Sequence, residues 1–253
     1  MLSAERRTRI LELIRTEGNV EVKNLATRLA VSLMTVRRDL ETLEERGLLV
    51  RTHGGAVLPG PENTEVPYHT KRLSHAEEKR RIARKALELI CDGDTLILDS
   101  GSTTLEIARL SRWKKGLTVI TTDLKIALEL GNQPGIKVFC TGGLVQTGVY
   151  TLLGSQAIQF LRGFNAQKAF LGASAVDLKA GITTPTPEKA PVKKAIVEAA
   201  REVVLVADHT KFGKVAFAQI CPVERIKTVI TDRELDPEMA QRLKGRGVAL
   251  YQV

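Results

Sequence analysis

Apolar side chains recur at helical intervals three times within the first 45 residues. Ile10, Leu13 and Ile14 predict a helix over Ser3 to Thr16, and Val22, Leu25, Ala26 and Leu29 predict a second over Val22 to Ala30. The third carries Leu33, Val36, Leu40 and Leu43. On a wheel of about 100° per residue with Val36 at zero, the three leucines fall within about 60°, a narrow stripe that faces a core. Met34, Thr35, Arg38 and Thr42 lie roughly opposite, with Arg37 on the flank. Ser32 stands where an N-cap is needed and Gly47 where a left-handed stop is needed. Beyond it, Leu48 to Thr52 and Gly54 to Val57 read as two short strands turning at glycine.

Three short helices followed by a hairpin make a winged helix-turn-helix, whose third helix enters a major groove. The groove-facing residues are then Ser32, Met34, Thr35, Arg37, Arg38 and Thr42, and Arg51 and His53 fall where a wing meets phosphate. Spacing alone also permits surface ion pairs of Arg37 with Glu41 and Arg38 with Glu45. Residues 1–58 hold ten Lys/Arg against eight Asp/Glu, so positive charge in this module is placed and not abundant.

The run TVRRDLETLEERGLLVRTHGGAV is similar to the N-terminal signature of the DeoR family of bacterial transcription regulators. It joins the Arg37-Arg38-Asp39-Leu40 helix to the His53-Gly54-Gly55-Ala56 wing at the family's spacing. The resemblance implies double-stranded operator DNA as one partner, a phosphorylated sugar as effector, a repressor of carbohydrate metabolism genes and a homo-oligomer, dimer or tetramer.

After residue 58 the pattern changes. Residues 59–73, with Pro59, Pro61 and Pro67 and little periodicity, read as a linker between a module at 1–58 and a larger domain at 74–253. Ser74 to Ile90 is a basic amphipathic helix: Ile82, Ala86, Leu89 and Ile90 on one side, and Lys79, Arg80, Arg81, Arg84 and Lys85 on a solvated remainder. Strand-like runs at 95–98, 117–121, 136–140, 168–171, 203–207, 228–231 and 248–252 then alternate with helical runs at 103–110, 124–130, 155–161, 187–201 and 237–244. Such alternation predicts an α/β domain with a mostly parallel sheet, whose ligands bind beyond the carboxyl ends of the strands.

Candidate chemistry falls at those ends. Asp99-Ser100-Gly101-Ser102-Thr103-Thr104 follows the first strand and opens a helix, so hydroxyls, backbone N–H groups and the helix dipole converge as for an anion. It is neither a P-loop nor a dinucleotide fingerprint. Thr121, Gly142 and Gly143, and Gly172 follow the next strands; Glu188 and Lys193 lie at a helix start, and Asp208 and Lys211 follow a later strand in a spacing that suits a phosphorylated polyol. These segments also resemble the DeoR sensor domain, which is similar in fold to ribose-5-phosphate isomerase. By that resemblance Asp99 and Ser100 to Thr104 bind the phosphate end, while Gly142, Gly143, Gly172, Glu188, Lys193, Asp208 and Lys211 line the sugar pocket. Thr122 stands where the family usually has Asn, and Thr210 where Ser is common.

The net charge of +9 and pI near 9.6 admit a polyanion partner. Cys91, Cys140 and Cys221 are odd in number and far apart, which predicts buried, reduced thiols and no disulfide. The four histidines lack metal-ligand spacing, so neither a metal nor a cofactor is expected. No secretory or membrane-spanning run is present, and a cytoplasmic, membrane-free protein is the expectation. The competing class is an enzyme, a sugar-phosphate isomerase with a DNA-binding appendage, using Glu188, Asp99 or Asp208 as base and Lys211 as electrophile; a non-enzymatic sensor is the expectation.

Overall fold

The computed structural model describes residues 2–17, 19–45, 48–51, 54–57 and 65–253. The chain divides into two compact units, Met1–Pro67 and Tyr68–Val253.

The first unit contains α1 (Ser3–Glu17), β1 (Asn19–Glu21), α2 (Val22–Leu29), α3 (Leu33–Glu45), β2 (Val50–Arg51) and β3 (Gly55–Val57). Ile10, Ile14, Leu25, Val36, Leu40, Leu43, Leu49 and Ala56 form its core. Ala30 ends α2 in a left-handed conformation, its N–H closing on the Ala26 and Thr27 carbonyls. The Ser32 hydroxyl then caps α3 by accepting the Thr35 N–H at 3.1 Å. The wing is antiparallel, Val50 opposite Val57, and β1 adds a third strand to β3. A Cβ at Gly55 would stand 1.8 Å from the Val20 carbonyl, so only glycine lets β1 lie so close. Two expectations change. Leu33, assigned to the core stripe, is 43% exposed, because the first turn of α3 overhangs a core that begins at Val36. Strand β1 was not expected, since three residues between two helices carry no alternation to read. Gly47, Thr52, His53 and Leu58 lie outside the described residues, as do 59–64 of the expected linker.

The second unit opens with α4 (Tyr68–Leu73) and α5 (Ala76–Glu88), then β4 (Thr95–Leu98), α6 (Ser102–Ser111), β5 (Thr118–Thr121), α7 (Leu124–Gly131) and β6 (Lys137–Cys140). A hairpin, β7 (Leu144–Val145) and β8 (Leu152–Leu153), precedes α8 (Ser155–Arg162) and β9 (Ala166–Leu171). Next come β10 (Ala175–Asp177), β11 (Gly181–Thr184), α9 (Lys189–Glu198), β12 (Ala200–Val206), β13 (Ala218–Cys221), β14 (Thr228–Thr231), α10 (Pro237–Gly245) and β15 (Ala249–Gln252). Seven strands form one wholly parallel sheet in the order β15-β14-β12-β9-β4-β5-β6. Both faces are covered: Ile97 of β4 packs into one core, while Leu96 and Leu98 pack into the other. Sequence order reverses between β4 and β9, so those two strands bound the switch-point crevice at their carboxyl ends.

Several expectations are corrected here. The stretch read as linker ends in a helix, α4, because Tyr68 is buried and its N–H donates to the Gly148 carbonyl at 2.9 Å. The helix expected to run to Arg201 stops at Glu198: the Ala199 carbonyl accepts the Ala166 N–H at 2.8 Å, and Ala200 begins β12 opposite Ala166. Lys79, placed on the solvated face of α5, is buried, its ammonium held by the Lys71 and Ser74 carbonyls. Cys91 and Cys140 are exposed, Cys140 because β6 is the sheet's edge, and only Cys221 is buried. The antiparallel sheet β10-β11-β13 was not foreseen.

Candidate effector crevice and nucleic-acid interface

In the first unit, α3 turns Met34, Arg37 and Arg38 outward and half-exposes Thr35 and Thr42, while Ser32 is exposed at the helix start. Thr42 donates to the Arg38 carbonyl at 2.9 Å, leaving a compact ridge with two guanidinium groups. Asp39 is the exception to an outward polar face. It is 4% exposed and pairs with Arg6 and Arg7 of α1, which fixes the angle at which α3 leaves the core. The Arg-Arg-Asp run thus serves two ends, solvent-facing cations and an inward anchor. Arg51 lies on β2, whose backbone supplies one side of the wing, and His53 is outside the described residues.

In the second unit, the switch point holds a buried charged cluster. Asp99, immediately after β4, accepts the Gly172 N–H at 2.9 Å and pairs with the ammonium of Lys193 from α9. Lys193 also donates to the Gly172 carbonyl at 2.9 Å. Gly172 follows β9, so the two strands and α9 are tied together where chain order reverses. Glu188, at the start of the same helix, is exposed and makes no capping bond.

Beside this cluster lies a hydroxyl network. The Ser100 hydroxyl donates to Asp123 at 2.9 Å and lies 2.6 Å from the Thr151 hydroxyl. Asp123 caps α7 by accepting the Lys125 and Ile126 N–H groups at 2.7 and 3.2 Å. Burial raises its carboxyl above the usual range, against the pull of those hydrogen bonds. Thr121 turns inward, donating to the Leu98 carbonyl at 2.8 Å and accepting the Asp123 N–H at 3.1 Å, and so stitches β4 to β5. Thr104 closes on the Gly101 carbonyl at 2.9 Å, and Ser102 reaches the Lys71 carbonyl of α4 at 3.4 Å. Thr103 is also buried, and the Thr122 hydroxyl is buried without a hydrogen-bond partner. Gly142 and Gly143 both have positive φ, and a Cβ at Gly143 would stand 2.3 Å from the Leu153 carbonyl, so glycine is required where the hairpin folds back.

A cavity of about 320 Å³ opens beside Ser102, lined by Arg72, Lys79, Arg80, Glu106 and Arg109 among others. Lys79 is cationic chemistry that the sequence reading placed in solvent. Its ammonium is brought down to about 8, chiefly by burial and further by Lys211, against the opposing pull of Asp208. Asp208 and Lys211 therefore lie near Lys79, on the same side of the domain. Asp208 spends its Oδ1 on the Thr210 N–H at 3.2 Å and on the Thr210 hydroxyl. His209, Asp232 and Glu234 stand close together, but Asp232 is already engaged by the His209 N–H and Nδ1 at 2.8 and 2.7 Å and by the Glu234 N–H at 3.2 Å. The residues sequence reasoning missed are Lys79 and Thr151; it grouped Asp123 with Thr121 and Thr122 after a strand without giving it a role. Asp123 followed Thr121 and Thr122 in plain view, and its position after a strand was the signal that marked it.

A winged helix-turn-helix joined to a parallel α/β domain with a polar switch-point crevice defines the class of two-domain, ligand-sensing transcription regulators. Residues 6–62 match the DeoR-like helix-turn-helix domain and residues 74–233 the DeoR C-terminal sensor domain. The chain belongs to the DeoR family of transcription regulators. It is 38% identical over 250 residues to the HTH-type transcriptional regulator GlpR of Haloferax volcanii, covering 99% of this chain and 98% of that one. It is 32% identical to the glycerol-3-phosphate regulon repressor of Escherichia coli K12, covering 92% of each. It is likewise 32% identical to a putative aga operon transcriptional repressor of Escherichia coli O157:H7, covering 99% and 94%. Among solved structures, ribose-5-phosphate isomerase A of Methanocaldococcus jannaschii aligns with TM-score 0.41 and 18% identity over 55% of each chain. No described helix is long and apolar enough to cross a membrane.

Proposed function

We propose that this regulator represses carbohydrate genes and that a phosphorylated sugar, held at the switch point, sets its affinity for operator DNA. The observation that carries this reading is the buried Asp99–Lys193–Gly172 cluster beside the Ser100 to Thr104 turn. A carboxylate and an ammonium are sequestered where an α/β sheet binds ligands, next to a helix start that suits an anion. The phosphate end is assigned to the turn, with Lys79 nearby, and the polyol end to Gly142, Gly143, Gly172, Glu188, Lys193 and Asp208. Two assignments differ from those the family resemblance implies: Asp99 moves to the polyol end, because a buried carboxylate repels an anion and accepts from hydroxyls, and Lys211 moves to the phosphate end as a cation close to Lys79. Residues 1–58 read DNA through Arg37, Arg38 and their neighbours, in pairs that match half-sites about one helical turn apart or a multiple of it. Named repressors of sugar-related operons among the relatives support the same reading.

The test is calorimetric titration of the full chain with sugar phosphates and the matching unphosphorylated sugars, followed by operator binding with and without the ligand found. A ligand that requires its phosphate and shifts operator affinity about 5- to 150-fold, equivalent to roughly 1–3 kcal/mol, is the expected result. Operator must shift ligand affinity by the same factor. Turnover of the sugar phosphate, followed by NMR, would instead favour the isomerase-like enzyme, and absence of binding across the series would refute the pocket.

A further inference from the structure

Building on the DNA-binding reading of the first unit, we infer that the second unit makes a contact of its own with duplex DNA. The contact is the turn Arg112-Trp113-Lys114-Lys115 between α6 and β5, whose three cations meet backbone phosphates while the indole lies against the sugars. Residues 1–58 hold ten Lys/Arg against eight Asp/Glu, which leaves 28 against 21 for residues 59–253. The unit without a reading helix therefore carries most of the net +9. A module of only +2 binds a polyanion weakly unless cations elsewhere in the chain add to it.

This turn sets charge around an aromatic side chain. Trp113 is the chain's one tryptophan and is 75% exposed. The Arg112 guanidinium lies over its ring, 5.0 Å from the centroid, and so orients it. Lys115 is exposed and Lys114 half-buried. Among the described residues none of the three cations pairs with a carboxylate, whereas Arg109, one turn earlier on α6, pairs with both Glu106 and Glu129. The nearby carboxylates are engaged otherwise: Asp92 accepts the Lys115 backbone N–H at 2.9 Å, and Asp94 accepts the Cys91 N–H at 2.9 Å and pairs with Lys168 at 3.5 Å. The backbone is fixed as well, since the Lys114 N–H donates to the Ser111 carbonyl and the Gly93 N–H to the Lys115 carbonyl, both at 2.9 Å. Little ordering of the chain is left to be done on binding.

Chemistry selects the occupant. Unpaired ammonium and guanidinium groups suit phosphate oxygens, and an indole offers one N–H donor and an apolar face, which a sugar-phosphate backbone can meet with acceptors and sugar carbons. An acidic protein would also meet cations here. Duplex held by α3 is tethered to the same chain, however, and so presents its flanking phosphates at high local concentration. Contacts of this kind carry no base preference and add affinity on any sequence. The turn precedes β5 and adjoins the one before β4, as the Thr118 N–H donating to the Asp94 carbonyl at 2.9 Å shows. It thus lies at the amino ends of strands whose carboxyl ends form the crevice, and it shares no residue with the effector assignment.

The experiment titrates the full chain with a long synthetic duplex of arbitrary sequence. Acrylamide quenching of the single tryptophan reports on Trp113, and anisotropy of labelled duplex gives affinity between about 50 and 200 mM salt. Duplex is expected to shield Trp113 from acrylamide. The triple variant Arg112→Gln, Lys114→Gln, Lys115→Gln, its fold checked by circular dichroism, is expected to lose that shielding and to bind at least about tenfold more weakly at the low-salt end. Its slope of log affinity on log salt should fall by about 2–3, at roughly 0.9 for each phosphate contact removed. If the variant fails to fold, shielding in the wild type decides. Bound duplex that leaves Trp113 as open to acrylamide as in the free chain, or a folded variant of unchanged slope, overturns the inference and leaves DNA binding by the first unit standing. Trp113 already shielded before duplex is added would place a protein neighbour on the turn and also overturn it. A chain that binds no duplex at any salt removes the DNA-binding reading and this contact together.

Discussion

Replacing Lys193 by methionine removes the ammonium and keeps most of the side chain's bulk, so it isolates the charged contact at the switch point. Lys193 is 6% and Asp99 1% exposed, and neither is screened by water to any useful extent. In the variant, Asp99 Oδ2 keeps only the Gly172 N–H at 2.9 Å, and the Gly172 carbonyl loses the donor that stood 2.9 Å away. Breaking a buried ion pair from one side costs about 3–5 kcal/mol, because the remaining charge is stranded. For a domain of this size each kcal/mol moves the midpoint by roughly 2–4 °C, so Lys193→Met should lower the melting temperature of the second unit by about 6–20 °C. Differential scanning calorimetry of the full chain measures it, with any transition of the first unit as internal control. Adding Asp99→Asn removes the stranded charge and should restore most of the loss, leaving a deficit of about 1–2 kcal/mol for imperfect hydrogen bonding. A single variant that melts within about 2 °C of wild type, or a double variant no more stable than the single, would refute the cluster as a structural keystone.

Further tests follow from the same geometry. Asp123 has a carboxyl raised by burial, so its ionisation opposes folding: its unfavourable contribution is absent below the unfolded value and grows as pH rises through the folded one. Asp123→Asn, which keeps an acceptor for the α7 cap, should flatten the dependence of melting temperature on pH just above the ordinary carboxyl range, and an unchanged slope would count against it. Lys79 titrates near 8 and is lowered, so the fold gains stability as pH rises from about 8 toward the unfolded value; a phosphate dianion placed beside it should draw protons onto the protein at pH 8, visible as a buffer-dependent binding enthalpy. No buffer dependence would remove Lys79 from the phosphate end. Arg38→Ala should relax base preference at a cost of roughly 1–3 kcal/mol, and an unaltered preference in a binding-site selection would exclude Arg38 as a base reader.

Long periodic segments were legible in the sequence because burial imposes them: β4, α6, β5 and β14 fall within a residue or so of their expected limits, each with an apolar run bounded by turn residues. Leu33 shows where a wheel misleads, since it gives direction and not the extent of the core. Short elements left no period to read. β1, the β7–β8 hairpin and β10 owe their existence to partners far along the chain or to two or three ladder bonds. In the crevice, Asp99, Lys193 and Gly172 were recognisable by position after strands and at a helix start, and they meet. Lys79 was not, because nothing in its own helix announces that two carbonyls from the preceding turn will receive its ammonium. Thr121 and Thr104 bear the right chemical groups but spend them within the backbone.

The reversal of strand order between β4 and β9 has a consequence for synthesis on the ribosome. The first unit closes its core within its own 67 residues. The sensor cannot: one flank of β4 waits for β9, and Asp99 waits for a lysine 94 residues later. At about 5–20 residues per second, the helix bearing Arg38 is finished roughly ten seconds before the crevice. Each nascent chain therefore passes through an interval in which the core around Arg38's helix can be complete while Asp99 still lacks its partner.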